Sequence, residues 1–232
     1  MVDTALLQTF LINGGTALAF FLVALSVLKR SGIKRISGTF ALFFITIAIG
    51  LIVNVVYRII NEEYWNIVLN KVTIYFSALG VIFLYEFNLL IRFSENEITL
   101  KRQIVLFVIY ALLLSFLFFI ADGVTWDYSP GIYGVPVWSP LFAWYGGLLC
   151  QGLFVLILYT SAKISAQFSD IQAKKKYRFT IVAILMFDFI LVGNFVANGL
   201  NIPIVRTIFL VGSGISIVFG TYWLYQGTKR NI

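Results

Sequence analysis

Five ionisable side chains interrupt apolar stretches of the sequence. A charged side chain at the centre of a membrane-spanning helix costs about 2.5–3.5 kcal/mol on insertion scales, so such positions are candidates for function. Carboxyls there can hold a proton or donate a hydrogen bond, and cations can hold an anion. The five positions are Arg58, Lys71, Glu86, Asp188 and Arg206.

The three cations lie near the ends of their apolar stretches, where asparagines also occur. Arg58 follows Asn54 by four residues, so the two side chains share one helix face. Asn194, Asn198 and Asn201 are spaced by four and three residues and form one polar stripe. This pattern predicts an outward-opening cavity for a small anionic or hydrogen-bonding ligand. The candidate ligand-binding residues are Asn54, Arg58, Lys71, Asn194, Asn198 and Arg206.

A second interpretation of the three cations requires no ligand. Basic side chains near the ends of membrane spans can form ion pairs with acidic residues at the level of the lipid headgroups. The acidic residues within reach along the sequence are Glu62, Glu63 and Asp122.

The two intramembrane carboxyls, Glu86 and Asp188, are candidates for a proton site or a conformational switch. Glu86 is about 22 Å from Lys71 along a helix at 1.5 Å per residue, so the two cannot pair, and it can reach Lys163 or stay protonated. Asp188 has no basic residue at its depth, and we expect a neutral carboxyl that donates a hydrogen bond to a neighbouring helix. Asp188 is therefore a contact between helices, a proton site or a switch, and the sequence favours the contact.

The residues needed for common enzyme chemistry are missing from the sequence. It contains no histidine and a single cysteine, Cys150, so neither a metal cluster nor a cysteine–histidine pair can form. The sequence also has no GxSxG-type nucleophile motif and no paired aspartates at matched depth. We therefore expect no catalytic activity and no metal site.

The elements that position these residues are apolar helices. Hydrophobic residues make up 60% of the chain and charged residues 12%, against about 25% charged in soluble domains. About 20 apolar residues span a bilayer as a helix, and irregular backbone cannot face lipid. The sequence therefore predicts one all-α domain over 1–232, a seven-transmembrane-helix bundle. The predicted helices are 5–28, 37–60, 66–92, 103–121, 141–165, 179–200 and 204–226.

The distribution of charge predicts the orientation of this bundle. Most of the 17 basic residues lie in the 28–37, 92–103 and 165–179 connections and in the tail. The positive-inside rule places these segments in the cytoplasm and the N-terminus outside. The net charge of +7 then reflects anionic membrane lipids, and we expect no nucleic-acid partner.

The longest connection, 122–140, lies on the predicted outer side and reads "DGVTWDYSPGIYGVPVWSP". Its glycines, prolines and aromatic residues indicate a folded lid over a binding site, or alternatively an anchor at the membrane interface. Small residues, including Gly212, Gly214 and Gly220 in helix seven, indicate close helix packing or a homo-oligomer.

The order of spans and two segments resemble a known family. "GVPVWSPLFAWYGGLL" and "NIPIVRTIFLVGSGISIVFGTYWLY" are similar to the seven-transmembrane sensor region that precedes signalling domains in prokaryotic histidine kinases and diguanylate cyclases. The resemblance implies a receptor in the cell (cytoplasmic) membrane that senses an external or membrane-borne cue and transmits it through helix seven. No output domain follows helix seven within these residues, so we expect signalling through a cytoplasmic or membrane partner. Helix seven contains no lysine for a Schiff base, so we expect no retinal and no other cofactor.

Two other functions are compatible with the same residues. A small transporter or channel could couple transport to protons or cations through Asp188 and Glu86. Alternatively, the small-residue faces suit an accessory subunit of a larger membrane complex. A carrier predicts that Asp188→Asn abolishes uptake, whereas a subunit predicts co-purification with defined partner chains.

Overall fold

Within the described residues, seven helices are long and apolar enough to cross a membrane, which confirms the predicted multi-pass helical bundle. The computed structural model describes residues 9–29, 34–60, 62–128 and 134–228. The first helix, α1 (Thr9–Leu28), begins with a π-helical segment that ends at Gly14. The others are α2 (Lys34–Tyr57), α3 (Glu63–Glu97), α4 (Leu100–Phe119), α5 (Pro140–Gln167), α6 (Ile171–Leu200) and α7 (Pro203–Thr228).

Two helices extend furthest beyond their predicted spans. Helix α3 was expected over 66–92 and continues through a break at Ser94, where φ is 71°. Helix α6 was expected to start at residue 179 and begins eight residues earlier, because the Asp170 carboxylate accepts hydrogen bonds from two backbone N–H groups of its first turn. Residues 5–8 of the first predicted span, and the basic residues Arg30, Lys229 and Arg230, lie outside the described residues.

The predicted lid segment, 122–140, folds as a β-hairpin. Strand β1 (Val124–Asp127) pairs antiparallel with β2 (Val135–Trp138), with Thr125 opposite Val137. Valine, threonine and tryptophan favour strands because they pack well on a pleated surface. Sequence analysis predicts a folded segment here but no strands, so the hairpin departs from the all-α class.

Helices α2 and α3 form a close pair at the centre of the bundle. A Cβ atom at Gly50 would lie 2.9 Å from the carbonyl oxygen of Thr73, and one at Gly80 would lie 3.2 Å from that of Phe43. Only glycine leaves room for this backbone approach. Helix α1 packs on α2, α4 packs on α3, and α5 packs on both α3 and α6.

Helix α7 packs extensively on α6 alone among the described elements. Aromatic rings of each helix sit over glycines of the other: a Cβ at Gly193 would be 2.9 Å from the Phe209 ring, and one at Gly212 would be 2.9 Å from the Phe189 ring. This contact confirms the close packing predicted from the small residues of helix seven. Among the described residues, no other helix packs comparably on the remaining face of α7.

Large apolar side chains cover the outside of the helices. Exposed surfaces of this kind suit hydrocarbon and are rare on soluble monomers. The protein is therefore a multi-pass membrane protein. Examples that are more than half exposed are Leu18, Leu112, Phe116, Leu148, Ile208 and Val218.

Candidate ligand-binding cavity

A cavity of about 440 Å³ lies between α1, α2 and α3 on one side and α6 and α7 on the other, beneath strand β2. Its volume falls within the range of small-molecule pockets, about 300–1,000 Å³. Five of the six ligand-binding residues predicted from the sequence line this single space. They are Asn54, Arg58, Asn194, Asn198 and Arg206.

Two arginines connect the cavity to the hairpin above it. The Nη1 of Arg58, just after α2, donates to the carbonyl oxygen of Gly134 at 2.7 Å. The Nη2 of Arg206, in the first turn of α7, donates to the carbonyl oxygen of Pro136 at 2.7 Å. The Nε of each arginine is buried without a hydrogen-bond partner in the described part of the chain. The cavity lining therefore carries two cations, and their Nε atoms are enclosed by protein.

A chain of side-chain hydrogen bonds runs along the same end of the cavity. The Asn13 amide of α1 donates to the Oδ1 of Asn54 at 2.8 Å, and the Nδ2 of Asn54 donates to the Tyr57 hydroxyl at 2.8 Å. The Nδ2 of Asn70 in α3 donates to the same hydroxyl at 3.1 Å, and Trp138 of β2 donates to the Oδ1 of Asn70 at 3.1 Å. This chain joins α1, α2, α3 and the hairpin.

The indole of Trp138 fixes the direction of this chain. An indole N–H can only donate, so the Asn70 side chain must turn its oxygen to Trp138 and its nitrogen to Tyr57. The Tyr57 hydroxyl thus accepts from both Asn70 and Asn54, and its own proton remains for a ligand. The cavity consequently offers hydrogen-bond donors beside its two cations.

Asn194 and Asn198 form a hydrogen-bonded pair on α6. The Nδ2 of Asn198 donates to the Oδ1 of Asn194 at 2.6 Å and to its backbone oxygen at 3.0 Å. Asn201, the third member of the predicted stripe, is instead the C-cap of α6 with φ 51° and is exposed outside the cavity lining. The left-handed conformation that ends the helix breaks the stripe there.

Lys71 lies outside the lining of this cavity. Its Nζ donates to the backbone oxygens of Phe118 and Ile120 at 3.4 and 3.3 Å, at the C-terminal end of α4. Helix C-terminal carbonyls attract cations because they lack helical partners and carry the negative end of the dipole. Lys71 therefore joins α3 to α4, and the structure does not bring it together with the other five candidates.

Glu86 lies in the C-terminal half of α3, outside the cavity lining, in a cluster with Gln103 and Arg35. Its Oε2 accepts from the Gln103 amide at 3.2 Å, and its Oε1 is buried without a partner among the described residues. The Nε of Arg35 donates to the Oε1 of Gln103 at 2.7 Å, which links the carboxyl indirectly to a cation. The expected neighbour Lys163 lies instead over the Tyr159 ring at 5.6 Å.

Asp188 also lies outside the cavity lining, on another face of α6. Gln151 of α5 is its side-chain hydrogen-bond neighbour. Its Oδ1 is buried without a hydrogen-bond partner in the part of the chain that the structure describes. Gln151 thus places the Asp188 carboxyl beside α5, and its role as a contact between helices, a proton site or a switch stays a prediction.

A fully buried asparagine, which sequence analysis did not single out, connects three helices. The Nδ2 of Asn88 in α3 donates to the Ser161 hydroxyl at 2.7 Å and to the Ile157 carbonyl at 3.1 Å in α5. Its Oδ1 accepts from the Tyr177 hydroxyl of α6 at 3.2 Å. Such a satisfied buried network fixes the relative positions of helices.

The cavity also contains polar residues that sequence analysis missed. A detectable signal existed on α3, where Asn70, Thr73 and Ser77 are spaced by three and four residues on one helix face. Tyr57 and Trp138 carried no such signal, because aromatic residues at helix and strand ends also occur as interface anchors. The missed lining residues with polar side chains include Asn13, Tyr57, Asn70, Thr73, Ser77 and Trp138.

Comparison of the chain with protein-family models, curated proteins and solved structures finds no match.

Proposed function

We propose that this protein is a seven-helix membrane sensor that binds a polar or anionic ligand in the cavity and signals through a partner. The observation that carries the proposal is the convergence of Asn54, Arg58, Asn194, Asn198 and Arg206 on one space. These residues come from helices far apart in sequence. Buried cations and amides are costly in a membrane unless they are used, so their convergence supports a ligand site.

The arrangement of α7 supports a route for the signal. Helix α7 is held mainly by α6, and the cavity separates it from α1, α2 and α3. A ligand that contacts Arg206 of α7 together with Asn54 or Arg58 would join the two groups of helices. The ligand would stabilise the packing of α7 in which both contacts form over a packing in which they do not. The size of this shift equals the difference in the free energy with which the ligand binds the two packings. A partner that contacts the C-terminal end of α7 would detect that shift.

The proposed orientation places the cavity and the hairpin outside the cell and the C-terminal end of α7 in the cytoplasm. The positive-inside distribution of basic residues supports it. Thr125 of the hairpin and Ser169 before α6 are both exposed and lie at opposite ends of the bundle. With Cys150 replaced by alanine, a cysteine introduced at residue 125 should react with an impermeant maleimide on intact cells of a prokaryotic host. A cysteine at residue 169 should not, and the reverse pattern would invert the orientation.

The alternative carrier function has less support. Neither Glu86 nor Asp188 lines the cavity, and each forms its own contact with a different helix. A coupled carrier needs its ion site linked to the substrate site. The described residues show no such link, so we do not propose transport.

Native mass spectrometry tests the proposal on protein extracted in mild detergent from the membrane of its own host. We expect a reproducible small molecule on the wild-type protein and its loss from the Asn198→Leu variant. Leu185→Asn, on the exposed face of α6, is the matched control and should keep the molecule. Stoichiometric foreign chains without a small molecule would instead identify an accessory subunit and overturn the proposal.

A further inference from the structure

The cavity is polar at one end and apolar at the other. Its polar lining, which includes Arg58, Asn198 and Arg206, lies next to the hairpin. Deeper in the bundle the lining is mainly apolar, with the hydroxyl groups of Thr16, Ser77 and Ser213 among it. The rings of Phe20 and Phe43 both pack against the ring of Phe187, and these buried aromatic residues close the inner end.

Two helices give the same length for this space. The lining of α6 extends from Asn198 to Phe187 and that of α7 from Arg206 to Ile217. Each interval is eleven residues, or about 16 Å at 1.5 Å per residue. An extended peptide spans about 3.6 Å per residue, which has three backbone bonds, so each bond contributes about 1.2 Å. We use the same length per bond for an extended hydrocarbon chain. The cavity can therefore hold a straight chain of about 13 bonds.

The volume of the cavity gives a similar length for the ligand's hydrocarbon chain. If each heavy atom with its hydrogens occupies about 30 Å³, the share of a water molecule in liquid, a cavity of about 440 Å³ holds about fifteen such groups. A small anionic headgroup takes three or four of them. About eleven carbons remain for the chain.

We propose that the ligand is a single-chain anionic amphiphile, with its headgroup at Arg58 and Arg206 and its hydrocarbon chain between Ile47, Leu191 and Ile217. This inference rests on the proposed function and specifies the class of ligand. The two arginines of the lining match the charge of an acidic headgroup. A small polar ligand would leave the apolar part of the cavity unfilled.

The packing of the helices also gives such a ligand a route into the cavity. Helix α7 packs extensively only on α6, and α1 only on α2, so no comparable packing closes α1 against α7 among the described residues. The outer surfaces of both helices are apolar, with Leu18 and Ile208 each more than half exposed. An amphiphile could thus enter sideways from the bilayer while its headgroup stays at the level of the hairpin.

A series of straight-chain carboxylates from hexanoate to hexadecanoate tests the inference. Each competes with radiolabelled dodecanoate for the full-length protein in nanodiscs, with empty nanodiscs subtracted. We expect the affinity to rise about fourfold per methylene, the value of one buried methylene, and to level off near eleven carbons. Arg206→Gln should weaken all chain lengths by a similar factor.

Variants that fill the deeper part of the cavity distinguish binding of the carboxylate in the cavity from its non-specific partition into lipid. Leu191→Phe and Ser213→Leu should each lower dodecanoate affinity at least tenfold and leave hexanoate unchanged, because the headgroup site remains. Val218→Phe, on the exposed face of α7, is the matched control and should change neither. Equal chain-length dependence in all these proteins would overturn the inference.

The remaining outcomes distinguish the ligand class from the existence of a ligand. Equal, arginine-dependent affinity at every chain length would refute an amphiphile and retain a small anion site. If no carboxylate binds and native mass spectrometry detects no bound compound, both this inference and the proposed function are wrong. Displacement of dodecanoate by phosphatidylglycerol added to the nanodiscs would identify a two-chain bilayer lipid as the occupant and contradict a single-chain ligand. Unchanged dodecanoate binding would support the single-chain amphiphile.

Discussion

The substitution Trp138→Phe tests the hydrogen-bond chain that supports the cavity. Trp138 is 2% exposed, and its indole N–H donates to the Oδ1 of Asn70 at 3.1 Å. Its ring lies 5.5 Å from that of Phe142 and 5.2 Å from that of Phe195, measured between centroids. Phenylalanine preserves an aromatic ring at this position but removes the donor, which leaves the Asn70 oxygen without its partner.

The expected loss in the free energy of unfolding follows from the burial of Asn70, which is 2% exposed. An orphaned buried acceptor costs about 1–3 kcal/mol in soluble proteins. Hydrogen bonds between transmembrane helices are worth about 0.6 kcal/mol on average, with a maximum near 1.7. Because the Asn70 amide also holds Tyr57 and cannot turn to water, we expect a loss near the upper values, about 1–2 kcal/mol.

Thermal unfolding in nanodiscs, followed by near-ultraviolet circular dichroism, measures this loss. At about 2–4 °C per kcal/mol for a chain of this size, the midpoint should fall by about 2–8 °C. Trp144→Phe is the control, because Trp144 is 66% exposed. Substitutions at such surface positions usually change stability little, so we expect the midpoint to shift by less than about 1 °C. Equal shifts in the two variants would refute the argument that the indole donor stabilises the site.

Three further changes test other parts of the structure. Gly134→Ala should destabilise the hairpin by about 1–2 kcal/mol or more and weaken ligand binding, because φ is +58° and a Cβ there would clash with the indole nitrogen of Trp126. Gly152→Ala, with no atom within 4 Å of its Cβ position, should do neither, as thermal unfolding will show. Asn88→Leu should lower stability by about 1–3 kcal/mol in the same assay, since it orphans buried groups on two helices, whereas Ser26→Ala on the exposed face of α1 should be neutral. Asp188→Asn should keep both fold and ligand binding, because asparagine can still bond to α5 and the position is outside the cavity; loss of binding in the carboxylate competition assay would contradict this.

The helices were predictable from the sequence because one strong signal determines them. Runs of about 20 apolar residues have a single stable form in a bilayer, so propensity for strands does not matter there. The ends were less predictable, since they depend on individual caps. Asp170 begins α6 within a basic segment that is too polar to belong to an apolar span, although its Ala, Gln and Lys residues favour a helix. The hairpin was missed because its strands have four residues each, too few for a periodic pattern.

The residues of the candidate site were predictable where a polar side chain interrupts an apolar span. They were not predictable where the residue type is common at that position. Asn54, Arg58 and Arg206 stood out because they interrupt apolar spans, and the cavity contains them. Lys71 stood out equally but bonds to the end of α4, because the sequence does not tell which neighbouring helix a side chain faces. The role of Trp138 depends on the pairing of the two strands, which no local pattern encodes.

Photochemical crosslinking in the host membrane tests most directly whether the cavity holds a ligand. Phe209 lines the cavity, whereas Phe219 lies on the same helix and is 48% exposed. A photoactivatable benzoylphenylalanine at each position would be irradiated in intact cells and the protein analysed by mass spectrometry. We expect one small-molecule adduct of constant mass at position 209 that is absent at position 219. Membrane lipid adducts of mixed mass at both positions, or no adduct at position 209, would contradict the account.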